Sequence, residues 1–500
     1  MLCIVGFACT DLNAPVYDKK ATFWRNESEI EAGVAAAYVG LRSYWDFASI
    51  YSLNEASSDE IIVPTRGTDW NDNTVWEQLW KHTWDANTPM LDYVWVKIYI
   101  GIDNINLMLE SLQQLSPAPK NLVLLVAELK TLRAFYYFHA LDLFGNVPII
   151  TSYYNSTGQL GPRSRAELFA FVEKELKDNL TNLPTDKNAL TYGRVTQWFT
   201  QTLLAKLYLN AEVYIGTTRW ADCIQACDAV LSSNRYLLET NFFSNFLINN
   251  ENSGENIFVI PFDTNNGLYY FGIQGFTLHY NSGKTFGLNS GGFNGWCSTE
   301  EYYKLFDPND IRRNMFLVGQ QYVNQIPDAQ HIQYDNLGNL LIFDPVITSF
   351  HLQPPKTETA GARCAKWEFN KQSSFGAMSN DFSLFRLADI ILMKAEAQFR
   401  SGDAAGALTT LNQKVSGVSI RSRTGLPDFS AAEMNLDGLL AERARELSWE
   451  GHRRTDMIRC GRFLNARIPD KDVSADFRIL YPIPQSEINK NKKLTQNPGY

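Results

Sequence analysis

Gly438–Arg459 reads GLLAERARELSWEGHRRTDMIR, and Leu480–Tyr500 reads LYPIPQSEINKNKKLTQNPGY. In the first stretch Leu440, Ala444, Leu447 and Gly451 follow at +4, +3 and +4, the spacing of one helical face. Glu442, Glu446 and Glu450 share the other side with arginines, and Arg453 and Arg454 follow the glycine. The spacing predicts one helix over 438–459, which by itself reads equally as a charged surface helix. In the second stretch Pro482, Pro484 and Pro498 hold the chain extended, so it is expected to dock rather than to hang free.

Three other blocks carry similar signals. In Ala127–Pro148 (AELKTLRAFYYFHALDLFGNVP) and just before it, Leu125, Leu129, Leu132, Tyr136, Ala140 and Leu143 form a helical stripe. Gly145 stands where a helix end favours a left-handed residue, and Pro148 forbids continuation. Arg386–Ala397 (RLADIILMKAEA) is a third helical block, and Ser57–Trp84 contains SDE, RGTDW and a closing tryptophan. In this order the four blocks resemble the SusD/RagB family of surface-exposed, nutrient-binding outer-membrane lipoproteins. Its members end in an ER-EL-EG-RR-D-R helix and a PIP…QNPGY close. Here the matching residues are Glu442, Arg443, Glu446, Leu447, Glu450, Gly451, Arg453, Arg454, Asp456 and Arg459.

Helical stripes recur elsewhere. Thr196–Ile215 places Leu204, Tyr208, Ala211 and Ile215 on one face, and Arg219–Ser232 places Trp220, Ile224, Cys227 and Leu231 on another. Ala388, Leu392, Ala395 and Phe399 form a stripe, and after Gly402-Asp403 another runs through Ala404, Leu408, Leu411 and Val415. Such helix–turn–helix units read as tetratricopeptide-like hairpins, which must stack to bury their stripes. The expected fold is mostly α, with these hairpins forming a scaffold beside a loop-rich region that contains a few short strands. That region, 241–385, loses helical periodicity, and Gly, Asn and aromatics dominate it. Short strands are expected around Ile257–Phe262 and Leu340–Phe350. One domain is expected over 21–500, with helical parts at 21–240 and at 386–500, the latter including the docked tail.

The 500 residues carry 45 basic and 54 acidic side chains, a net charge of −9, without a basic run. That pattern argues against nucleic acid and against a polybasic membrane patch. No stretch reaches the ~18 apolar residues of a membrane span. Met1–Ala8 (MLCIVGFA) is apolar and precedes Cys9 and a polar run. Gly6 and Ala8 are small, although Phe7 is bulky and no basic start is present. Taken with the family resemblance, which implies a lipid-anchored protein at the outer face of the outer membrane, residues 1–20 are expected to be a clipped signal peptide and tether with Cys9 lipidated. The other cysteines and the six histidines show neither CxxC nor HExxH spacing, so no metal and no cofactor is expected.

The chain holds 12 Trp, 23 Tyr and 30 Phe, enough to place some on a binding surface as well as in a core. A sugar ring offers a C–H face and a rim of hydroxyls, which an exposed aromatic flanked by amides, carboxylates and guanidinium groups recognises. Trp76, Trp80 and Trp84 are four apart and read as core. Trp70 lies between Arg66-Gly67-Thr68-Asp69 and Asn71-Asp72-Asn73, and Trp296 follows Gly291-Gly292-Phe293-Asn294-Gly295. Both are expected to line a ligand site on loops, with Asp69, Asn71, Asn294, Arg363, Tyr269 and Tyr270 beside them. A glycosidase would need two carboxylates roughly 5–9.5 Å apart. Glu300-Glu301 diverge as neighbours at a helix start, and Asp307 and Asp310 read as turn and cap, so catalysis is not expected. The resemblance implies a glycan ligand, or alternatively a peptide or other nutrient. It also implies a SusC-like, TonB-dependent outer-membrane transporter as partner.

Overall fold

The computed structural model describes residues 26–154, 160–264, 272–372 and 376–500. Its first helices are α1 (Glu27–Val39), α2 (Ile50–Glu55), α3 (Val75–Lys81), α4 (Pro89–Gln113) and α5 (Leu122–Leu143). Next come α6 (Arg165–Asn179), α7 (Gln197–Leu209), α8 (Ala211–Ile215) and α9 (Trp220–Ser232). Short α10 (Ile273–Thr277), α11 (Ser282–Phe286) and α12 (Glu300–Tyr303) punctuate the loop-rich region. The framework resumes with α13 (Leu387–Arg400), α14 (Ala404–Asn412), α15 (Leu436–Glu446), α16 (Arg453–Arg459) and α17 (Gln485–Lys490).

Local signals set several of these boundaries. α4 begins with Pro89, where a missing N–H costs nothing. α6 opens on a capping box, with Ser164 and Glu167 satisfying each other's backbone N–H groups. α5 ends as expected, since Gly145 takes φ 76° and its N–H donates to the Ala140 carbonyl. α13 and α14 form a hairpin about Gly402 (φ 94°), and Asp403 caps α14. Adjacent helices pack α4 on α5, α5 on α6, and α7 and α13 on α9, the stacked pairs expected of a tetratricopeptide-like scaffold.

Where α4 meets α5, Gly101 faces the Tyr136 ring, and a Cβ there would fall 2.4 Å from it. Tyr136 is buried. Gly101→Ala is therefore expected to cost about 1–3 kcal/mol of stability through overpacking, measured by denaturant unfolding. An unchanged midpoint would mean the ring can move aside.

Among the described residues there are four two-stranded ladders, formed by strands of the loop-rich region with each other and, in one case, with the segment before α3. They pair β1 (Thr65–Arg66) with β6 (His351–Leu352), β2 (Asn256–Ile260) with β8 (Phe382–Arg386), β3 (Phe316–Leu317) with β7 (Arg363–Cys364), and β4 (Gly319–Gln320) with β5 (Ile342–Phe343). Only β1–β6 is parallel. The strand expected over Leu340–Phe350 shrinks to β5, because the chain turns away after Phe343 to accept other backbone partners. The helix expected over Thr196–Ile215 breaks at Asn210, and Val415 lies beyond the end of α14.

The helix expected over 438–459 is two helices. Trp449 (φ 61°) and Gly451 (φ 87°) reverse the chain between α15 and α16. Trp449 turns into the core, where its indole N–H donates to Ser298 Oγ (3.1 Å) and its backbone N–H to Glu60.

The charges of this segment face inward too. Arg386 binds Glu446 (2.8 Å), Glu450 (2.7 Å) and Glu255 (3.0 Å). Arg312 binds Asp310 (2.8 Å), Glu442 (2.9 Å) and Glu446 (3.0 Å), and Arg423 reaches Glu255 and Glu446. All of these side chains are buried. Burial works to raise the Glu446 carboxyl, but Arg423, Arg386 and Arg312 overcome it and hold the group below the usual carboxylate range. From the same segment Arg453 reaches Asp59 (2.6 Å), Arg454 reaches Asp142 (2.7 Å) and Arg459 reaches Glu396 (2.7 Å).

The tail docks as expected. Tyr481 donates its N–H to Leu143 (2.8 Å), and the Asn497 amide donates to Phe144 (2.8 Å) and Tyr481 (2.7 Å). Trp84 donates to the Tyr500 hydroxyl (2.6 Å), which itself donates to Leu480.

Candidate ligand-binding surface

Just beyond β1, Arg66 and Asp69 exchange backbone hydrogen bonds and Gly67 takes φ 67°. Trp70 (φ 58°), Asp72 (40°), Asn73 (52°) and Thr74 (64°) then all adopt positive φ without being glycine. Each such residue costs on the order of 1–3 kcal/mol, and strain of this kind clusters at ligand clamps. The strained segment presents Asp69 and Asn71 to solvent and leaves Trp70 half-buried.

Two partners hold Trp70. Its indole N–H donates to the Phe293 carbonyl (2.7 Å), and its ring covers Gly295, where a Cβ would lie 2.2 Å from the indole. Phe47 lies near-parallel to it (6.3 Å, 26°), and Phe276 meets it edge-on (6.1 Å, 77°). Phe276 stacks in turn on Trp296 (5.0 Å, 18°), and Trp296 on Tyr51 (5.8 Å, 14°). Trp70 is thus the outermost ring of an aromatic column that runs into the core.

Around it, the Tyr280 hydroxyl donates to the Asp69 carboxylate. Phe293 is 40% exposed. The Asn281 amide donates to the Tyr334 carbonyl (3.0 Å) and to Asn336 Oδ1 (3.1 Å), and Tyr334 is 48% exposed. Rings, amides and a carboxylate therefore share one surface.

A buried polar layer lies beneath. Arg363 donates to the carbonyls of Ala360 (2.8 Å), Gly361 (2.7 Å) and Glu358 (3.0 Å) and to Asn294 Oδ1 (2.7 Å). Burial first, and neighbouring Arg66 second, bring its guanidinium down to about 9. Arg66 donates to Thr357 (3.0 Å) and Ala360 (2.9 Å). His279 Nδ1 accepts the Asn281 N–H (3.0 Å), so Nε2 carries the proton it donates to Glu358 (2.8 Å). Burial, with Arg363 and Arg66 adding to it, lowers His279 to about 3, and the ring is neutral.

Trp70, Asp69 and Asn71 come together at the surface as expected. Trp296 does not join them: it is 0% exposed, and Asn294 and Arg363 are buried with it. The glycine-rich stretch, expected to hold Trp296 on a ligand-site loop, is pressed against other backbone. Phe293, Asn294, Gly295 and Trp296 donate their N–H groups to the 275–278 segment. A Cβ on Gly291 or Gly292 would fall 1.7 or 2.0 Å from the carbonyl oxygens of Tyr280 and Leu278. Here glycine serves close approach, and the docked strand turns Trp296 inward. Tyr269, Tyr270 and Cys9 lie outside the described residues. Sequence reasoning missed Tyr280, Phe293 and Tyr334. Tyr280 and Phe293 stand in the same Gly/Asn/aromatic stretch as Trp296, which was the available signal.

Among the described residues no group of His, Cys, Asp and Glu could hold a metal ion, and no helix is long and apolar enough to cross a membrane.

Residues 254–500 match the model of the SusD family, and residues 27–209 match a family described as starch-binding and associating with outer membrane. The starch-binding protein SusD of Bacteroides thetaiotaomicron is 25% identical, with 91% of this chain and 86% of the relative covered. SusD-like protein P38 of Formosa agariphila is 24% identical over 96% of this chain and 92% of its own. A solved laminarin-binding SusD-like protein superposes with a TM-score of 0.76 at 23% identity, covering 95% of this chain and all (100%) of that one. Surface glycan-binding protein A of Bacteroides thetaiotaomicron, solved with laminarihexaose, gives a TM-score of 0.72 at 21% identity, covering 94% and 99%. The two structures establish a shared fold.

Proposed function

The chain belongs to the SusD/RagB family, and from that premise we propose that it captures glycans at the cell surface, without cleaving them, for a SusC-like TonB-dependent transporter. The observation that carries this reading is the Trp70 surface: a strained loop holds an indole at the head of a packed aromatic column, beside Asp69, Tyr280 and Asn71. A ring held this way is preorganised to receive the C–H face of a sugar, and the polar groups beside it can take hydroxyls. The relatives' names, which speak of starch, laminarin and surface glycans, support the class of ligand. Outer-membrane association follows the description of the N-terminal match, with Cys9 as the proposed point of lipid attachment. A capture protein needs no proton transfer. The carboxylates here are engaged as acceptors, Asp69 by Tyr280 and Glu358 by His279 and the Asn336 N–H.

Trp70→Ala tests the reading. Aromatic stacking on a base is worth about 1–3 kcal/mol, and a sugar ring without a π face gains somewhat less. Loss of the indole should therefore weaken polymer binding roughly 5- to 30-fold, with no release of reducing ends by either form. Native affinity electrophoresis against starch and laminarin reads this directly. Unchanged retardation in the variant would move the site elsewhere. Retardation by no polymer would favour a peptide or another nutrient, and reducing-end release would make the protein an enzyme.

A further inference from the structure

We infer that the Trp70 surface selects uncharged glycans and rejects those bearing uronate or sulfate, an inference that rests on the glycan reading above. It comes from where the charges of the surrounding loops stand. Across 66–74, 279–296, 334–344 and 356–363 the cations are Arg66, Arg363, Lys284 and Lys356, and the anions are Asp69, Asp72, Asp335, Asp344 and Glu358.

The two arginines are buried beneath the platform, and their terminal nitrogens are spent on the carbonyls of the 357–361 turn, on Asn294 and on Cys297. Neither presents a donor fork to solvent. His279 adds no charge, because both its ring nitrogens are committed as those of a neutral imidazole. Lys356 is tied to Asp344 (2.6 Å), which leaves Lys284 on α11 as the unpaired exposed lysine of these loops. Beside Trp70, by contrast, Asp69 and Asp72 are both exposed. Asp69 has one oxygen on the Tyr280 hydroxyl, and Asp72 accepts the Trp76 indole N–H (2.9 Å).

Two donors of the platform are also out of play. The Trp70 N–H and the Tyr280 O–H are already donated inward, to Phe293 and Asp69. What remains beside the platform is the second Asp69 oxygen, which can only accept, and the exposed Asn71 amide, which carries both an acceptor oxygen and a donor NH2 group. A neutral sugar supplies hydroxyl donors to such a surface. A carboxylate or sulfate can only accept, and it would bring its charge against Asp69 and Asp72, where like charges repel it.

The test compares the full chain on native gels containing neutral polymers (starch, laminarin, xyloglucan) with gels containing polygalacturonate, alginate or chondroitin sulfate, each at low and high salt. The expected result is retardation by a neutral polymer that does not change with salt, and binding of every anionic polymer more than about tenfold weaker. Asp69→Lys should lose neutral binding and gain salt-sensitive retardation by polygalacturonate. Salt-sensitive retardation of the wild type by an anionic polymer, equal to or stronger than by any neutral one, overturns the inference and leaves glycan capture standing. Retardation by neither class fails both together.

Discussion

Replacing Arg386 by methionine is expected to lower stability by about 3–5 kcal/mol, the cost of leaving one side of a buried ion pair without its partner. The methionine fills similar space, so the loss comes from Glu446, Glu450 and Glu255, which would stay in a dry interior with one cation fewer. At ~2.1 cal/mol/K per residue, unfolding a chain of 500 residues carries an entropy of ~1 kcal/mol/K, so the melting temperature should fall about 3–5 °C. The same arginines set an acid limit. Glu446 and Glu442 sit below their unfolded value of about 4.3, so their contribution is complete above that pH and is lost as pH falls from there through the folded value. In Arg386→Met the Glu446 carboxyl should rise, and acid unfolding should begin at higher pH than in the wild type. Urea midpoints at pH 7 and pH 4 measure both effects. Equal midpoints for variant and wild type at both would show that the network contributes nothing net.

Trp296→Ala should be equally damaging, and through a different term. Removing a fully buried tryptophan costs about 3–5 kcal/mol through lost contacts and the cavity left behind. The cavity would open between Phe276 and Tyr51, directly under the seat of Trp70. The variant should therefore unfold earlier in denaturant and, where still folded, bind polymer more weakly. Trp70→Ala, at the half-buried end of the column, should lose binding with the smaller change in stability. If the two variants unfold alike, the column is not the support described above. If Trp296→Ala unfolds like wild type, its burial carries little energy.

The helical framework was legible because it rests on apolar periodicity, which survives in any context: α5, α9 and α13 lie where their stripes predict, and α14 stops one stripe residue short. Where the charged segment faces stayed open for a physical reason. A glutamate–arginine pattern at helical spacing is the same string whether it faces water or a set of partners far away in sequence, and Arg312, Arg386 and Arg423 are 130, 60 and 23 residues from Glu446 or its neighbour Glu442. Nor could spacing reveal that Trp449 would take φ 61° and split the helix. The candidate site divides along the same line. Trp70, Asp69 and Asn71 were found from local turn chemistry. Trp296 was placed outside because a glycine that permits a turn and a glycine that permits backbone contact are identical in sequence. Phe293 meets Trp70, Tyr280 meets Asp69 and Tyr334 meets Asn281 through hydrogen bonds between positions far apart in sequence.

The docking of the final residues has a consequence for how the chain reaches this state. Tyr481, Asn497 and Tyr500 close onto Leu143, Phe144 and Trp84, across more than 300 positions. Helix pairs near the N-terminus can form from local contacts, but their ends stay unsealed until the distant 481–500 segment docks. Contacts of such sequence separation also make closure slow. With the 481–500 segment undocked, Phe144 and Trp84, both buried in the folded chain, would lose the cover and hydrogen bonds it gives them.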